Sequence, residues 1–173
     1  TSVAENLTVK ENLEFMADLY LSKDKARSSV ERTIKAFGLE EFSGKKAKLL
    51  SGGYKRKLSI AMAIIGEPKV LFLDEPTLGL DVLARRQLWR EIEALKENMT
   101  IVLTTHYMEE SADADYVVIL ESGQIAAEGT PLELKNNYTG DFVTIYGVDE
   151  EVVKGFGYSY EAVNDGFRIA VPD

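Results

Sequence analysis

The chain has 173 residues, 45% of them hydrophobic, which is enough for one domain with a substantial core. Its 29 acidic against 20 basic residues give a formal net charge of -9, which argues against a nucleic-acid binder, because such proteins must neutralise phosphates. Cysteine is absent, so disulfide and thiolate chemistry are excluded, and the longest apolar run, Ile60 to Ile65, is too short to span a bilayer.

The first third of the chain is predicted to be helical. Thr8 to Glu11 has the form of a capping box, in which a hydroxyl and a carboxylate each satisfy a free amide at the start of a helix. A second helix fits Asp24 to Phe37, and Gly38 ends it. Ser51 is placed as the N-cap of a third helix, which runs to Gly66.

The middle of the chain places an amphipathic helix between two short apolar runs. Val70 to Leu73 and Ile101 to Leu103 are continuous apolar runs of the kind expected for strands buried on both faces. Between them, Val82 to Lys96 is predicted to be a helix capped by Asp81. This pattern is typical of a βαβ unit, and it predicts a parallel sheet.

The last third is predicted to be rich in short strands. A helix around Tyr107 to Ala114 leads to an antiparallel hairpin, whose strands lie at Tyr116 to Leu120 and at Gln124 to Ala127. A short helix follows from Pro131 to about Tyr138. Beyond it, residues 141–173 contain strand-like runs and are interpreted as a small accessory segment.

Two adjacent carboxylates, Asp74 and Glu75, follow the first apolar run. Open α/β sheets bind ligands at the carboxyl ends of their strands, where unpaired charge is unfavourable. An Asp at this position suits Mg²⁺, and the Glu, which points the other way, suits a base that orients an attacking water. The alternative is a strand that simply ends in a polar turn.

A phosphate site is indicated by Ser51, Gly52 and Gly53 at the start of the third helix. The glycines leave backbone amides unobstructed, the helix dipole favours an anion, and the hydroxyl adds a donor. An ordinary Ser N-cap after a flexible turn is the alternative. The three basic residues at positions 55–57 could reinforce anion binding, but at least two of them are expected on a solvated helix face.

The only histidine, His106, follows the second apolar run. A lone histidine is more often structural than catalytic, and no second His or Cys is present for a metal site. Its place at the carboxyl end of a strand favours a functional role, since in a parallel sheet this strand end faces the strand end that carries Asp74 and Glu75. Asp81 is most simply interpreted as a helix N-cap.

In this order and spacing the motifs are specific, and residues from Glu5 to about Tyr138 resemble the nucleotide-binding domain of ATP-binding cassette (ABC) proteins. The resemblance implies an α/β fold, a partial P-loop NTPase with a helical subdomain at 1–66, half of the catalytic core at 67–139 and a β-rich accessory segment at 140–173. The motifs that it assigns are the signature (Leu50 to Tyr54), Walker B with its catalytic glutamate (Val70 to Glu75), the D-loop (Leu78 to Asp81) and the switch histidine (His106). Tyr54 stands where the common pattern has Gln, which is similar to exporters of the drug and antibiotic-resistance type.

One motif of the family has no counterpart in the sequence. The family has a Walker A loop and a Q-loop glutamine before the helical subdomain, and Thr1 is expected to lie just after the Q-loop. Gly44-Lys45 lacks the second glycine and the Ser/Thr of a P-loop. Without a lysine and an amide nest for the β- and γ-phosphates, ATP is expected to bind residues 1–173 poorly.

The resemblance further implies a machine driven by ATP. Two subunits would form a head-to-tail dimer around ATP and Mg²⁺, and hydrolysis would reopen it. Asp74 would act through Mg²⁺, Glu75 would polarise water, and His106 would steady the γ-phosphate. The residues implied to bind the nucleotide are Ser51, Gly52, Gly53 and Asp81.

The implied protein is the ATP-hydrolysing subunit of a transporter, placed at the cytoplasmic face of a membrane. Its permease partner would dock on the helical region from Val3 to Tyr20. A cytosolic ABC ATPase that acts on ribosomes or DNA is one alternative, although tandem cassettes or a long coiled-coil insertion would then be expected. A non-catalytic fragment or interaction module is the other, because Walker A is absent.

Overall fold

The structure, a computed structural model, describes residues 2–138 and 141–171 and divides into two units, Thr1–Tyr107 and Met108–Asp173. Every helix in these described residues is too short or too polar to cross a membrane. The helices are α1 (Val9–Tyr20), α2 (Lys23–Ala36), α3 (Gly52–Ile64), α4 (Val82–Leu95), α5 (Met108–Ser111), α6 (Pro131–Tyr138) and α7 (Glu150–Lys154). The strands are β1 (Val70–Asp74), β2 (Thr100–Thr104), β3 (Val117–Glu121), β4 (Gln124–Gly129), β5 (Asp141–Tyr146), β6 (Tyr160–Val163) and β7 (Gly166–Val171).

The three predicted helices of the first unit are confirmed, together with their end signals. The Oγ1 atom of Thr8 accepts a hydrogen bond from the Glu11 amide at 3.1 Å, and a Glu11 carboxylate oxygen accepts one from the Thr8 amide at 2.7 Å. This reciprocal pair is the predicted capping box. Gly38 has φ 59°, a left-handed conformation that ends α2 and that glycine adopts without steric penalty.

One hydrophobic core joins α1, α2 and α3 to a face of α4. Leu13 of α1, Leu58 of α3 and Leu88 of α4 are fully buried in it. Burying a side chain of this size contributes about 2 kcal/mol. Leu73 of β1 and Leu103 of β2 pack against the same core. The core therefore fixes the strands whose carboxyl ends carry the candidate site.

The predicted βαβ unit is confirmed. β1 and β2 pair in parallel, with α4 between them in sequence. In their register Leu73 lies beside Leu103, and Asp74 lies beside Thr104. The last residues of the two strands are thus neighbours at one edge of the sheet.

The prediction that β1 and β2 are buried on both faces is wrong for the described residues of the first unit. Leu71 is buried, but Phe72 is 76% exposed, and Val70 and Val102 are also exposed. Side chains alternate between the faces of a strand, so one set packs on the core and the other points away. Among the described residues of this unit, no element covers the second face.

The second unit contains two small antiparallel sheets. α5 is shorter than the helix predicted around Tyr107 to Ala114, whereas the hairpin of β3 and β4 forms as predicted. β5, β7 and β6 form a sheet in that order, with Val153 of α7 and Ile169 of β7 buried. α7 was not predicted, because five residues are too few to show a helical period.

Candidate functional site

The candidate site lies where β1 and β2 end. The Thr104 hydroxyl donates a hydrogen bond to Oδ1 of Asp74 at 2.6 Å, and it accepts one from the Glu75 amide at 3.0 Å. Thr104 therefore fixes both carboxylate residues at once. No role was predicted for Thr104, although a hydroxyl beside Asp74 in the register of two parallel strands could have indicated one.

Glu75 and His106 meet at this edge, as the parallel sheet predicts. Nε2 of His106 lies 2.7 Å from Oε1 of Glu75. The imidazole is 78% exposed, so this histidine is not a structural residue buried in a core. Both residues line a shallow depression, whose other lining residues are Thr77, Leu78, Thr105 and Tyr107.

Glu75 has an unusual backbone conformation. Its φ is 44°, in the left-handed region that residues with side chains seldom adopt. Such strain persists only where surrounding contacts hold it, and it is concentrated at functional sites. The segment from Asp74 to Leu78, named the Glu75 turn, therefore needs support from its neighbours.

Asp74 has the properties expected of a Mg²⁺ ligand. The residue is exposed, and within the described part of the chain its Oδ2 atom makes no hydrogen bond. Mg²⁺ is usually bound by one or two carboxylates and keeps several waters and phosphate oxygens as its other ligands. No group of three or more potential metal ligands occurs among the described residues. The single carboxylate fits an ion that is held mainly by phosphate and water.

Ser51 and Gly52 lie exposed at the start of α3. Ser51 is the predicted N-cap, because its Oγ atom accepts a hydrogen bond from the Tyr54 amide at 3.4 Å. A side chain at Gly52 would meet open space, whereas one at Gly53 would lie 3.7 Å from the Cβ atom of Ala84. Packing within the first unit therefore does not require a glycine at position 52. Within the described part of the chain, no hydrogen bond or ion pair joins these residues to Glu75 or His106.

The expectation that at least two of the basic residues at 55–57 are solvated is wrong. Arg56 donates hydrogen bonds to the backbone carbonyls of Asp74, Glu75 and Pro76. Lys57 is buried and forms an ion pair with Glu91 of α4. These contacts could not be foreseen, because they join segments that are far apart in sequence.

The Lys57–Glu91 pair connects α3 to α4 inside the unit. Burial raises the pKa of the Glu91 carboxyl, and the hydrogen bond and charge of Lys57 oppose that rise. The second carboxylate oxygen of Glu91 is buried without a hydrogen-bond partner among the described residues. The ammonium of Lys57 is therefore the main compensation for this buried charge.

Comparison with known proteins identifies the family. The family profile described as ABC transporter matches residues 1–78. The phospholipid-transporting ATPase ABCA3 of Homo sapiens is 44% identical over 137 residues, which are 78% of this chain. The chain belongs to the ABC transporter family.

Other ABC relatives agree. The probable multidrug ABC transporter ATP-binding protein YbhF of Escherichia coli (strain K12) is 37% identical over 142 residues, or 81% of this chain. ABC transporter A family member 4 of Arabidopsis thaliana is 41% identical over 143 residues, or 80% of this chain. The matches with ABCA3, YbhF and the Arabidopsis protein cover 8%, 25% and 15% of those proteins. The chain thus spans a quarter or less of these relatives.

A solved ABC structure supports the fold. It is the dimeric structure of a post-hydrolysis state of the ATP-binding cassette MJ0796 bound to ADP and Pi. The likeness has a TM-score of 0.65 at 24% identity and covers 75% of this chain and 59% of that chain. The predicted fold class, an α/β fold that is part of an ABC ATPase, is confirmed.

Asp81, which the resemblance assigns to the D-loop, is the N-cap of α4. Its Oδ1 atom accepts hydrogen bonds from the Leu83 amide at 3.0 Å and from the Ala84 amide at 2.9 Å. Asp81→Ala is expected to lower the free energy of unfolding by about 1 kcal/mol, and Asp81→Asn to leave it nearly unchanged, because Asn caps as well as Asp. Urea unfolding of both variants checks this, and equal losses would contradict the capping role.

Proposed function

We propose that this chain is part of the ATP-binding, ATP-hydrolysing subunit of an ABC transporter. The observation that carries the proposal is the edge at which the Asp74–Thr104 pair lies beside the Glu75–His106 contact. A metal-binding carboxylate, a base and an imidazole at the ends of two parallel strands are the groups that phosphoryl transfer to water requires.

Each of the three groups has a distinct role in this proposal. Asp74 would hold Mg²⁺, which supplies charge stabilisation for the phosphate oxygens. Glu75 orients the attacking water and accepts its proton through a carboxylate oxygen. His106, exposed beside it, donates to the γ-phosphate and steadies it.

Ser51, Gly52 and Gly53 would act on the nucleotide of a second copy. They lie at the start of a 13-residue helix, where backbone amides and the helix dipole favour an anion. No hydrogen bond or ion pair joins them to Glu75 or His106 in the described part of the chain, which agrees with a site that is completed only in a head-to-tail dimer. Asp81 would lie at the same dimer interface. The Walker A residues, which have no counterpart in residues 1–173, would come from elsewhere in the assembly.

A membrane subunit would dock on the α1 region, from Val3 to Tyr20. Phe15 and Leu19 are exposed and lie one turn apart on α1, and Tyr20 beside them is exposed as well. An apolar stripe on the solvent-exposed side of a helix is typical of an interaction surface. Two of the relatives are named as a phospholipid-transporting ATPase and as the ATP-binding protein of a probable multidrug ABC transporter. By this likeness we propose that the present chain serves a transporter of the exporter type.

Cell fractionation of the intact protein tests the transporter assignment. The protein is expected in the membrane fraction, and Leu19→Arg is expected to release most of it, because a charge in an apolar contact is unfavourable. The matched control is Leu49→Arg, at an exposed leucine outside α1. Sedimentation with ribosomes or DNA instead would overturn the transporter assignment in favour of a cytosolic ABC ATPase.

A further inference from the structure

We propose that Arg56 is a positioning residue that holds the Glu75 turn and links it rigidly to α3. The inference rests on the proposed function, because it assigns Arg56 a role in the hydrolysis carried out by Glu75. Arg56 lies outside the signature, Walker B, D-loop and switch-histidine segments that the resemblance assigns.

The guanidinium of Arg56 contacts three consecutive carbonyl groups. Its Nε atom donates to the Pro76 carbonyl at 2.8 Å, and one terminal nitrogen donates to the Asp74 carbonyl at 2.9 Å and to that of Glu75. Hydrogen bonds from a charged donor are stronger than those between neutral groups. Arginine presents several donors in a fixed plane, so one side chain can fix the path of the whole turn.

The turn needs this support because Glu75 is in the left-handed region, with φ 44°. Thr104 holds the turn from β2 through the Glu75 amide, and Arg56 holds its carbonyls from α3. Loss of Arg56 would leave the turn supported from one side only. Glu75 would then relax toward commoner backbone conformations, and its carboxylate would move away from His106.

The position of Arg56 on α3 gives the contact a further consequence. Arg56 lies five residues after Ser51, a distance of about 7.5 Å along the helix axis. A helix transmits displacement along its axis with little bending. A shift of the Ser51 end, when it engages a nucleotide, would therefore reach the Glu75 turn of the same subunit.

Hydrogen exchange on residues 1–173 tests the contact without any assay of activity. The amides to follow are Glu75, which donates to Thr104 Oγ1, and Leu78 and Leu80, which donate within the loop at 3.2 Å. In Arg56→Met their exchange is expected to rise about tenfold, while the α1 amides are unchanged. The control is Arg32→Met, which removes an exposed ion pair with Glu67.

Kinetics of the intact ATPase test the functional half. Arg56→Met is expected to lower kcat about tenfold or more with KM for ATP within about twofold, since a misplaced base impairs chemistry rather than binding. The kcat of Arg56→Lys should lie between those of Arg56→Met and the unmutated protein, because one ammonium group replaces only some of the guanidinium's hydrogen bonds.

Unchanged exchange in Arg56→Met would overturn the proposal, and so would faster exchange in the Glu75 turn with unchanged kcat. Faster exchange throughout α1–α3 in Arg56→Met would indicate a general loss of stability. In that case Arg56→Gln, which keeps a planar donor group, is used instead of Arg56→Met in the hydrogen-exchange and kinetic measurements. Absence of Glu75-dependent hydrolysis in the unmutated protein would instead refute the proposed function, and the exchange data would still decide whether Arg56 holds the turn.

Discussion

Glu75→Gln in the intact protein is expected to reduce steady-state ATP hydrolysis by about 100-fold or more and to leave ATP binding in place. Gln has the size of Glu and can form a hydrogen bond with His106, so the substitution should keep the side-chain contact that Glu75 makes at 2.7 Å. It cannot accept the proton of the attacking water. The variant therefore separates chemistry from binding.

Steady-state phosphate release and equilibrium nucleotide binding, measured on the same preparation, check this result. Glu67→Gln is the control, because Glu67 is an exposed carboxylate that pairs with Arg32 away from the sheet edge. Hydrolysis by Glu75→Gln at the rate of the unmutated protein would remove Glu75 from the catalytic role. Loss of ATP binding together with hydrolysis would point to a structural defect instead.

Lys57→Met is expected to lower the free energy of unfolding by about 3 kcal/mol. The substitution keeps most of the side-chain volume but leaves Glu91, whose side chain is only 16% exposed, without its ammonium partner. Urea unfolding of residues 1–173 measures the change. The double variant Lys57→Met, Glu91→Leu should recover most of the loss, because it removes the uncompensated carboxylate.

The loss should also depend on pH. The pKa of Glu91 is raised by burial, and removing Lys57 takes away the contacts that hold that rise back. A carboxyl whose folded pKa lies above its unfolded value binds its proton more tightly in the folded state, so it favours folding at low pH and opposes it as pH rises through the folded pKa. The difference between Lys57→Met and the unmutated chain should therefore shrink in acid. A loss independent of pH would contradict the assignment to Glu91.

Local rules predicted much of this fold because their signals lie within a few residues of each other. The capping box at Thr8, the stop at Gly38 and the cap at Asp81 each involve neighbours in sequence. The meeting of Glu75 and His106 could also be predicted, since parallel strands bring their carboxyl ends to one edge.

The contacts that were missed depend on packing between distant segments. Arg56 and Lys57 are charged residues near the start of a helix, and nothing in their immediate sequence shows that carbonyls or a buried carboxylate lie opposite. Phe72 belongs to an apolar run that predicts burial, yet it is exposed, because burial depends on what lies over the strand. The assigned roles of Ser51, Gly52, Gly53 and Asp81 at a nucleotide stay predictions.

A single imidazole in the whole chain makes the sheet edge unusually easy to observe. His106 is the only histidine among 173 residues, and it lies against the carboxylate proposed as the base. In a proton NMR spectrum the two carbon-bound ring protons of this one imidazole can be assigned without mutagenesis. Nucleotide, metal or a partner subunit that reaches this edge would shift those signals, so the chain contains its own spectroscopic reporter at the point where chemistry is proposed.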